Sequence, residues 1–436
     1  MVEILRPQKT RAQDDKVLIL DYQRRRQVLD RTKLMRGFGM AALAMFLMAG
    51  ASFAQNAQDK PERAQGGPPA VPKDVPLDNR HVHTGPLRVV IAGMVHGHAD
   101  GFLNGAVKRT DIEIVGIAEP DRSLFDAYAK KYGLDAKLYH PDLDETLAAT
   151  KPEAVLVYTN TFDHRKVVGI CAKHRSLVVK GKWQGPAVVM MEKPLAVSAE
   201  DAHDIAKMAA SVEMPVLVNY WTTWQANRRG AYDLVHEGAI GDVRRVVAHD
   251  GHGGPKEIGV GPEFLGWLTD PKLNGGGALY DFGCYGADFM TWLMDGQRPL
   301  TVTAVTEQIK PEVYPKVDDD ATIVLTYPKA VAVLQASWNW PFGRADVEVY
   351  GKTGTVFTRG ANDMEVRRAG EKEPKNVTAK PLVDPENDSI AYLRAVALDG
   401  RKPSGPSSLE INVVVAEIMD AARESAKTGK TVTLGR

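Results

Sequence analysis

The spacing of hydrophobic residues in this chain changes near residue 87 and again near residue 220. Between these points, short apolar runs alternate with segments whose apolar residues recur at helical spacing. The apolar runs predict buried strands, and the amphipathic segments predict helices. Strands that alternate with helices are typical of a parallel, doubly wound sheet. The predicted strands cover residues 87–92, 112–118, 154–158 and 187–190, and the predicted helices cover 99–108, 123–132 and 166–173.

Beyond residue 220 the pattern becomes one of long runs in which apolar and polar residues alternate. Such alternation predicts strands with one buried face, and therefore a mostly antiparallel sheet. The predicted strands cover residues 243–249, 300–305, 321–327, 330–337 and 346–350. A last amphipathic segment, residues 410–427, predicts a helix that packs back on the body of the protein.

Length and composition limit the class of protein. The 436 residues are enough for two domains with sizeable cores. The 55 basic and 55 acidic residues give no net charge, so nothing favours nucleic acid or an anionic membrane as a partner. The two cysteines, Cys171 and Cys284, do not suggest a disulfide framework, and each is expected to be a small buried residue in a helix.

The N-terminus has the layout of an export signal. Lys33 and Arg36 precede the uncharged apolar run 38–49, and the small-x-small pattern 51–54 follows it. The run is too short for a comfortable membrane span. We therefore expect cleavage after Ala54, and a periplasmic or extracellular protein with no stable membrane span.

Two other interpretations of the N-terminus stay open. Arg25 and Arg26 form a possible twin-arginine export motif, although they lie rather far from the apolar run. Met35 is a possible true start, because a compact signal peptide would begin there. After cleavage, residues 55–85 are rich in proline, glycine, glutamine and charge, which predicts a flexible linker.

A degenerate glycine loop follows the first predicted strand and leads into a helix. Its residues are Gly93, Met94, Val95, His96, Gly97 and His98. Only Gly93 falls where the dinucleotide-binding pattern G-x-G-x-x-G requires glycine. We expect the two histidines to line the loop and to face a pyrophosphate.

A carboxylate about twenty residues further on strengthens this interpretation. Glu119 ends the second predicted strand, where it can accept hydrogen bonds from an adenosine ribose and repel a 2′-phosphate. This favours NAD over NADP, although Arg122 keeps NADP possible. The alternative is an ordinary solvated strand end. With a dinucleotide site, residues 86–220 form a Rossmann domain, and residues 221–436 form a second domain with a mostly antiparallel sheet.

Polar residues also follow the strand 154–158, at the edge where open α/β sheets bind ligands. We expect Thr159 and Asn160 to contact the nicotinamide ribose, and His164 to begin the next helix. A purely structural turn is the alternative. No metal site is expected at His96 and His98, because no nearby carboxylate or cysteine cluster completes a ligand set.

The strand 187–190 ends in Met191, Glu192, Lys193 and Pro194. A lysine at the end of a buried strand is partly desolvated, which lowers its pKa and makes it usable as a proton donor or acceptor near neutral pH. The proline restricts the backbone just beyond the lysine and so orients its side chain.

A second unusual stretch begins at Gly275 and leads into a predicted helix. Asp281 and Tyr285 are separated by four residues on that helix and therefore share one face. Lysine, aspartate and tyrosine together could hold and deprotonate a hydroxyl. The residues Trp221, Trp224, Trp338, Trp340, Arg228 and Arg344 are suited to stacking on sugar rings and binding hydroxyls, although tryptophan is often a core residue.

With these motifs the chain resembles the glucose–fructose oxidoreductase, inositol dehydrogenase and rhizopine-catabolism family (Gfo/Idh/MocA), from about Leu87 to the C-terminus. The resemblance is carried by Glu192-Lys193-Pro194 and by the pattern Gly275-Gly276-Gly277-x-x-x-Asp281-x-Gly283-x-Tyr285. Gly238-Ala239-Ile240-Gly241-Asp242-Val243 and Asp319-Asp320-Ala321 also match.

The resemblance implies that residues 221–436 form a C-terminal α/β domain with an open, mostly antiparallel sheet, which often mediates oligomerisation. It also implies hydride transfer between a nicotinamide and a carbon of a sugar or cyclitol. It assigns Lys193 as the catalytic lysine, Asp281 as a ligand of a substrate hydroxyl, and Tyr285 as the acid/base. A tyrosine close to Lys193 should also have its pKa lowered by the ammonium.

The sequence therefore predicts an exported NAD(P)-dependent oxidoreductase for a sugar or sugar derivative, with a tightly held cofactor and homo-oligomeric assembly. One alternative is an NAD-dependent glycoside hydrolase that acts by transient oxidation and elimination. Another is a non-catalytic sugar-binding protein on the same fold.

Overall fold

The structure is a computed structural model that describes residues 84–179 and 182–435. The predicted export segment, with its cleavage after Ala54, lies outside these residues. So does the predicted linker as far as residue 83.

The first sheet confirms the predicted parallel, doubly wound arrangement. Its strands follow the order β3-β2-β1-β4-β7-β8, and every pair in it is parallel. In chain order the strands are β1 (Leu87–Ala92), β2 (Ile112–Ala118), β3 (Tyr139–His140), β4 (Ala154–Val157), β5 (Val178–Val179), β6 (Lys182–Trp183), β7 (Val188–Glu192) and β8 (Val216–Asn219). Of these, β5 and β6 pair with each other in a separate two-stranded sheet. Strands β1, β4 and β7 are almost entirely buried because helices cover both faces of the sheet.

The helices of this part are α1 (His98–Ala106), α2 (Arg122–Tyr132), α3 (Leu143–Thr150), α4 (His164–Arg175) and α5 (Ala199–Ser211). Their ends are set by local side chains. The carboxylate of Asp121 accepts from the backbone N–H groups of Ser123 and Leu124 at the start of α2. The helix ends at Gly133, whose φ of 69° is the left-handed conformation expected of a C-terminal cap.

The second sheet is mixed but mostly antiparallel, as predicted. Its order is β16-β15-β14-β13-β9-β12-β11-β10-β17, and β9 with β12 is its parallel pair. The strands are β9 (Val243–Gly251), β10 (Thr301–Glu307), β11 (Asp320–Thr326), β12 (Val331–Ser337), β13 (Arg344–Gly351), β14 (Gly354–Arg359), β15 (Asp363–Arg368), β16 (Lys375–Thr378) and β17 (Val432–Thr433). Alternate residues of β11 and β12 are buried, so one face of the sheet packs on the core.

The remaining helices are α6 (Ala226–His236), α7 (Pro262–Leu268), α8 (Pro271–Asn274), α9 (Ala278–Leu293), α10 (Ser389–Ala397) and α11 (Leu409–Thr428). Helix α9 lies against the second sheet at close range, since a Cβ atom at Gly286 would be 3.1 Å from Cβ of Ala248. The two cysteines are buried in α4 and α9, as expected.

Helix α10 was not predicted. Its residues Ile390 and Leu393 belong to the same hydrophobic cluster as Leu87 and Ile91 of β1. The end of the chain therefore contributes to the core of the first sheet. Among the described residues, no helix combines the length and the apolar composition needed to cross a bilayer.

Candidate active site

Lys193 follows directly after β7 at the carboxyl edge of the first sheet, as predicted. Its side chain is only 6% exposed. The ammonium donates a hydrogen bond of 2.8 Å to the backbone carbonyl of Asp281 and a second, short one to Oδ1 of the same residue. The two positions lie 88 residues apart in the chain, so this contact joins the first sheet to helix α9.

Asp281 lies in the first turn of α9. Its second carboxylate oxygen, Oδ2, accepts a hydrogen bond of 2.9 Å from the indole Nε1–H of Trp338. Since Trp338 is fully buried, its position just after β12 fixes the carboxylate from the side of the second sheet.

The start of α9 is held by Asp318. Its carboxylate oxygens accept from the N–H of Gly277 at 2.9 Å and from the N–H of Leu279 at 2.6 Å. Gly277 is required here for space, because a Cβ atom would lie 1.8 Å from the carbonyl oxygen of Asp318. This arrangement places Asp281 opposite Lys193.

The pKa of Lys193 differs from the lowered value that the sequence suggested. Burial by itself lowers the pKa of Lys193, but the charge of Asp281 raises it to well above the ordinary lysine value. Burial raises the pKa of Asp281, whereas Lys193 lowers it to a net value below the ordinary one. The prediction that Lys193 exchanges protons near neutral pH is therefore wrong, because its carboxylate partner stabilises the ammonium.

Tyr285 lies one turn further along α9, on the same face as Asp281, as predicted. The centre of its ring is 5.0 Å from Nζ of Lys193. Burial raises the pKa of Tyr285 and the charge of Lys193 lowers it, but burial has the larger effect. The predicted lowering is therefore wrong in its net direction. Tyr285 is a neutral hydroxyl that can donate a hydrogen bond.

These three residues line one large cavity. Its volume is about 1090 Å³, which is enough for a nicotinamide ring together with a sugar-sized molecule. Its wall also includes Gly97, His98, Trp221, Asp250, His252 and Arg344. Trp221, which is 46% exposed, is available for contact with a ligand, whereas Trp338 is a core residue that holds Asp281.

The glycine loop adjoins this cavity through Gly97. Gly93 has a φ of 78°, and a Cβ atom there would lie 2.6 Å from Cγ2 of Thr159. Val95 and Gly97 are partly buried residues, and within the described chain their backbone N–H groups donate no hydrogen bond. Two open N–H groups at the beginning of a helix fit a phosphate, so the loop suits a dinucleotide despite its degenerate pattern.

Glu119 is 2% exposed and lies beside the loop at the end of β2. Its Oε2 accepts from the N–H of Met94 at 2.7 Å, and its Oε1 accepts from the N–H of Asp121 at 2.9 Å. Burial raises its pKa, and these two hydrogen bonds oppose the rise. Glu119 thus shapes the loop, and its contact with a ribose stays a prediction.

His96 and His98 differ in their surroundings. His96 is buried, and its ring packs against Phe264 at 4.8 Å and Trp267 at 5.4 Å, both from α7. His98 is exposed to the cavity, and its Nδ1 lies 2.7 Å from Oε2 of Glu192. The expectation from the sequence that no carboxylate lies near these two histidines is therefore wrong. Ligand atoms of His96, His98 and Glu192 lie within 4.8 Å of one another.

Glu192 itself is buried, and each of its two carboxylate oxygens has a hydrogen-bond partner. Its other oxygen, Oε1, accepts a hydrogen bond of 2.9 Å from Nδ2 of Asn219. Burial raises the pKa of Glu192, but His98 and Asn219 lower it to a net value below the ordinary one. Glu192 is thus an ionised side chain that orients His98 toward the cavity.

The residues after β4 are engaged in local structure. Oδ1 of Asn160 accepts from the N–H of Asp163 at 3.0 Å and caps the short turn before α4. His164 begins α4, as predicted, but it is buried, and burial lowers its pKa to about 4. Its Nδ1 lies 3.2 Å from the carbonyl oxygen of Leu195. Thr159 adjoins the glycine loop, because a Cβ atom at Gly93 would lie 2.6 Å from its Cγ2.

Three residues of the site were not identified from the sequence. Trp338 was considered only for stacking, Asp318 was not considered, and Asp250 was not noticed at the end of β9. A polar residue at the end of a buried strand is the signal that could have revealed Asp250, as it revealed Lys193.

Sequence models of a known protein family match both parts of the chain. An oxidoreductase family with an NAD-binding Rossmann fold matches residues 87–220, and the Gfo/Idh/MocA C-terminal domain matches residues 228–357. Together the two matches cover more than half of the chain.

Trans-1,2-dihydrobenzene-1,2-diol dehydrogenase from Bos taurus is 26% identical over 243 residues, which are 56% of this chain and 64% of that enzyme. The match thus spans less than two thirds of the relative's length.

Two solved structures share the fold. Aldose–aldose oxidoreductase from Caulobacter crescentus, complexed with glycerol, has a TM-score of 0.65 at 22% identity, covering 80% of this chain and 100% of that one. An inositol dehydrogenase homologue from Azotobacter vinelandii, complexed with NADH and myo-inositol, has a TM-score of 0.64 at 17% identity, covering 80% and 98%.

Proposed function

Because the chain belongs to the Gfo/Idh/MocA family of NAD-binding oxidoreductases, we propose that it transfers hydride between a nicotinamide cofactor and a carbon of a sugar or sugar derivative. The observation that carries this proposal is the buried pair of Lys193 and Asp281 in a cavity that also reaches the glycine loop. The ligands named for the relatives, glycerol and myo-inositol, are polyols of suitable size.

The residues of the cavity provide donors for a reacting oxygen. The ammonium of Lys193 stabilises negative charge on the oxygen of an alcohol as its proton leaves. Tyr285 donates a hydrogen bond from its neutral hydroxyl, and Asp281 keeps Lys193 charged and accepts from a substrate hydroxyl. A bound nicotinamide supplies the hydride acceptor or donor.

The dinucleotide is held by the loop after β1. The open N–H groups of Val95 and Gly97 bind the pyrophosphate, and His98 adds a donor oriented by Glu192. The carboxylate of Glu119 favours NAD, since it repels a 2′-phosphate. Arg122 does not oppose this preference strongly, because its guanidinium is 2.8 Å from Asp126 and lies over the ring of Tyr139.

Export completes the proposal. The apolar run 38–49 and the small residues before position 55 support cleavage after Ala54. Free nicotinamide is scarce outside the cytoplasm, so we propose that the cofactor is held tightly and recycled within the enzyme. Homo-oligomers would form through the exposed face of the second sheet, where Val305 is 60% exposed.

The test begins with the dinucleotide. Mass spectrometry of the purified protein identifies any bound nucleotide, and calorimetric titration compares NAD with NADP. We expect NAD to bind more tightly, and aldoses, inositols or their glycosides to be oxidised or cleaved. Protein that binds neither dinucleotide would contradict the proposal.

The variant Tyr285→Phe separates an enzyme from a binding protein, since it removes one hydroxyl and keeps the ring. For an enzyme we expect kcat to fall by about 100-fold while dinucleotide binding is retained. If sugars bind and no variant changes any turnover, the protein is a sugar-binding module. Release of the free aglycone from a glycoside, with no net change in NADH, would instead identify an oxidation-assisted glycosidase.

A further inference from the structure

Helix α7, from the second half of the chain, packs on the dinucleotide loop of the first half. The indole Nε1–H of Trp267 donates a hydrogen bond of 3.1 Å to the backbone carbonyl of Val95, 172 positions away. The ring of Phe264 also contacts the loop, since a Cβ atom at Gly97 would lie 2.9 Å from its Cδ1. Both contacts are therefore made at the residues that carry the open N–H groups.

The peptide group between Val95 and His96 is held from both sides. Its carbonyl accepts from Trp267, and its N–H donates to the carbonyl of Tyr158 at 3.0 Å. Trp267 is only 5% exposed, so water has little access to replace its indole N–H. The orientation of this peptide group thus depends on one hydrogen bond from each half of the chain.

The N–H groups of the loop divide into two alternating sets. One set donates hydrogen bonds within the protein, and its members are Met94, His96 and His98. The N–H groups of the residues between them, Val95 and Gly97, donate none within the described chain. Because the first set is fixed by protein acceptors, the second set is left available for a ligand.

These contacts explain how a loop with few glycines can suit a phosphate. In the usual pattern, glycine permits the tight turn and the close approach of the backbone to the pyrophosphate. Here Val95 stands at the second glycine position and His98 at the third. A loop with side chains at these positions depends on its surroundings to keep the required conformation, and α7 supplies contacts that do so.

The segment that carries α7 is anchored at both ends. Before α7, the ammonium of Lys310 donates to the carbonyl of Gly253 at 2.7 Å. After it, Oδ1 of Asn274 in α8 accepts a hydrogen bond of 3.3 Å from the hydroxyl of Thr161, in the turn that follows β4. Helix α7 is therefore held in place from both directions along the chain.

The same segment forms the cavity wall beside the loop. Gly261, Glu263 and Phe264 line the active-site cavity together with Gly97 and His98. A ligand that enters or leaves the loop from this cavity therefore passes α7.

We propose that Trp267 and Phe264 are positioning residues for the cofactor, which hold the dinucleotide loop in its phosphate-binding conformation and slow the release of the dinucleotide. This inference rests on the proposed function. The tight retention proposed for the cofactor then depends on α7 as well as on the loop itself.

The main test is the binding of NAD to the full-length variant Trp267→Phe, which removes the N–H donor and keeps an aromatic ring. We expect the Kd for NAD to rise by about 10-fold, since a hydrogen bond that orients the loop is lost. Most of the change should lie in a faster release rate. Calorimetric titration and stopped-flow displacement measure the two quantities. An unchanged Kd and release rate would overturn the role of Trp267.

Phe264→Ala decides whether α7 supports the loop or obstructs it. If the ring supports the loop, the variant binds NAD more weakly than the wild type. Tighter binding would show that Phe264 blocks the site, and would overturn the proposal.

The matched control is Trp292→Phe. Trp292 is a partly buried residue of α9 whose ring stacks on Tyr232 at 4.1 Å, and it is not part of the cavity wall. We expect its substitution to leave the Kd for NAD unchanged. An equal loss of affinity in Trp267→Phe and Trp292→Phe would contradict a specific role for α7.

The proposal places the whole defect of Trp267→Phe in cofactor affinity. At NAD concentrations that saturate each protein, kcat should therefore equal that of the wild type. A kcat that falls even with NAD saturating would assign Trp267 a general structural role and overturn the proposal.

Hydrogen-exchange mass spectrometry of the cofactor-free protein gives a readout that needs no turnover. Trp267→Phe should speed exchange in the peptide that covers residues 93–98, whereas Trp292→Phe should not. Identical exchange of this peptide in Trp267→Phe and the wild type would count against the proposal. Wild-type protein that binds neither NAD nor NADP sinks the proposed function, whereas equally tight binding of NAD by Trp267→Phe sinks only the role of α7.

Discussion

Lys193 and Asp281 form a buried ion pair whose partners depend on each other. Removing both charges from water is costly, and their attraction repays that cost only when the contacts are good. Here Asp281 bonds both to Lys193 and to Trp338. The loss of one partner would leave an isolated buried charge.

We expect Asp281→Asn to destabilise the protein by about 3–5 kcal/mol, because the ammonium of Lys193 loses its counter-charge. Urea unfolding at neutral pH measures the loss. The double variant Lys193→Met/Asp281→Asn should recover much of it, since no isolated charge remains. Equal stability of Asp281→Asn and the wild type would contradict the ion pair.

The pair also has a defined pH dependence. The folded-state pKa of Asp281 lies below its ordinary value, so the stability from this carboxylate is complete above about pH 3.9. It is lost as the pH falls through the lower, folded-state pKa.

At the scale of single residues, the sequence predicted which side chains lie together in the site. It did not predict the direction in which their pKa values shift. Lys193, Asp281 and Tyr285 were identified from a strand end and a helical spacing. The pKa of Lys193 depends on how far Asp281 outweighs burial, and that balance is set by a contact between residues 88 positions apart. A local pattern does not contain this information.

Helix α9 is the element on which the site depends. It carries Asp281 and Tyr285 on one face, and its first turn is fixed by the carboxylate of Asp318. The N-terminus of α9 packs closely against the backbone of Asp318, and Gly277 makes this contact possible because it has no side chain.

We expect Gly277→Ala to cost about 1–3 kcal/mol of stability, because the added carbon would overlap a backbone oxygen that cannot rotate away. Activity should fall as well, since α9 moves relative to Lys193. Gly101→Ala in α1 is the control: nothing lies within 4 Å of its added carbon. There we expect a gain of up to about 1 kcal/mol. Thermal unfolding of both variants checks the difference, and equal effects would contradict this explanation.

The elements were predictable where the pattern is regular. Four strands of the first sheet, β1, β2, β4 and β7, were predicted within a few residues of their observed ends. The helix that carries Asp281 was predicted without bounds. Strands β14, β15 and β16 were missed because their alternation is short: β14 buries only Val356 and Thr358, and β15 buries only Met364 and Val366. Strand pairing decides their structure, since β14 pairs with β13, β15 with β14 and β16 with β15, and pairing is not a local property.

At the scale of the whole described chain, segments that are far apart in the sequence pack into the same hydrophobic core. Helix α10, near the C-terminus, completes the hydrophobic cluster beneath β1. Arg109 reinforces this contact through two hydrogen bonds to the carboxylate of Asp388, just before α10. The sequence did not predict this contact, because α10 is short and gave no clear helical signal.

We expect Leu393→Ala to lower stability by about 2–5 kcal/mol and to speed hydrogen exchange in β1 and β4, far away in sequence. Leu393 is fully buried in the cluster with those strands. The same substitution at Leu334 in β12 should instead speed exchange in the second sheet. Hydrogen-exchange mass spectrometry measures both, and unchanged protection of β1 in Leu393→Ala would contradict the packing described.

The bond between Lys193 and Asp281 also limits how this chain can diverge or be recombined. A change at either position alone leaves an unpaired charge in the protein interior, so the two positions must be inherited or replaced together. Exchanging one half of the chain with that of a relative succeeds only when the donor half brings a matching partner. Two residues that are distant in the gene therefore behave as a single heritable unit.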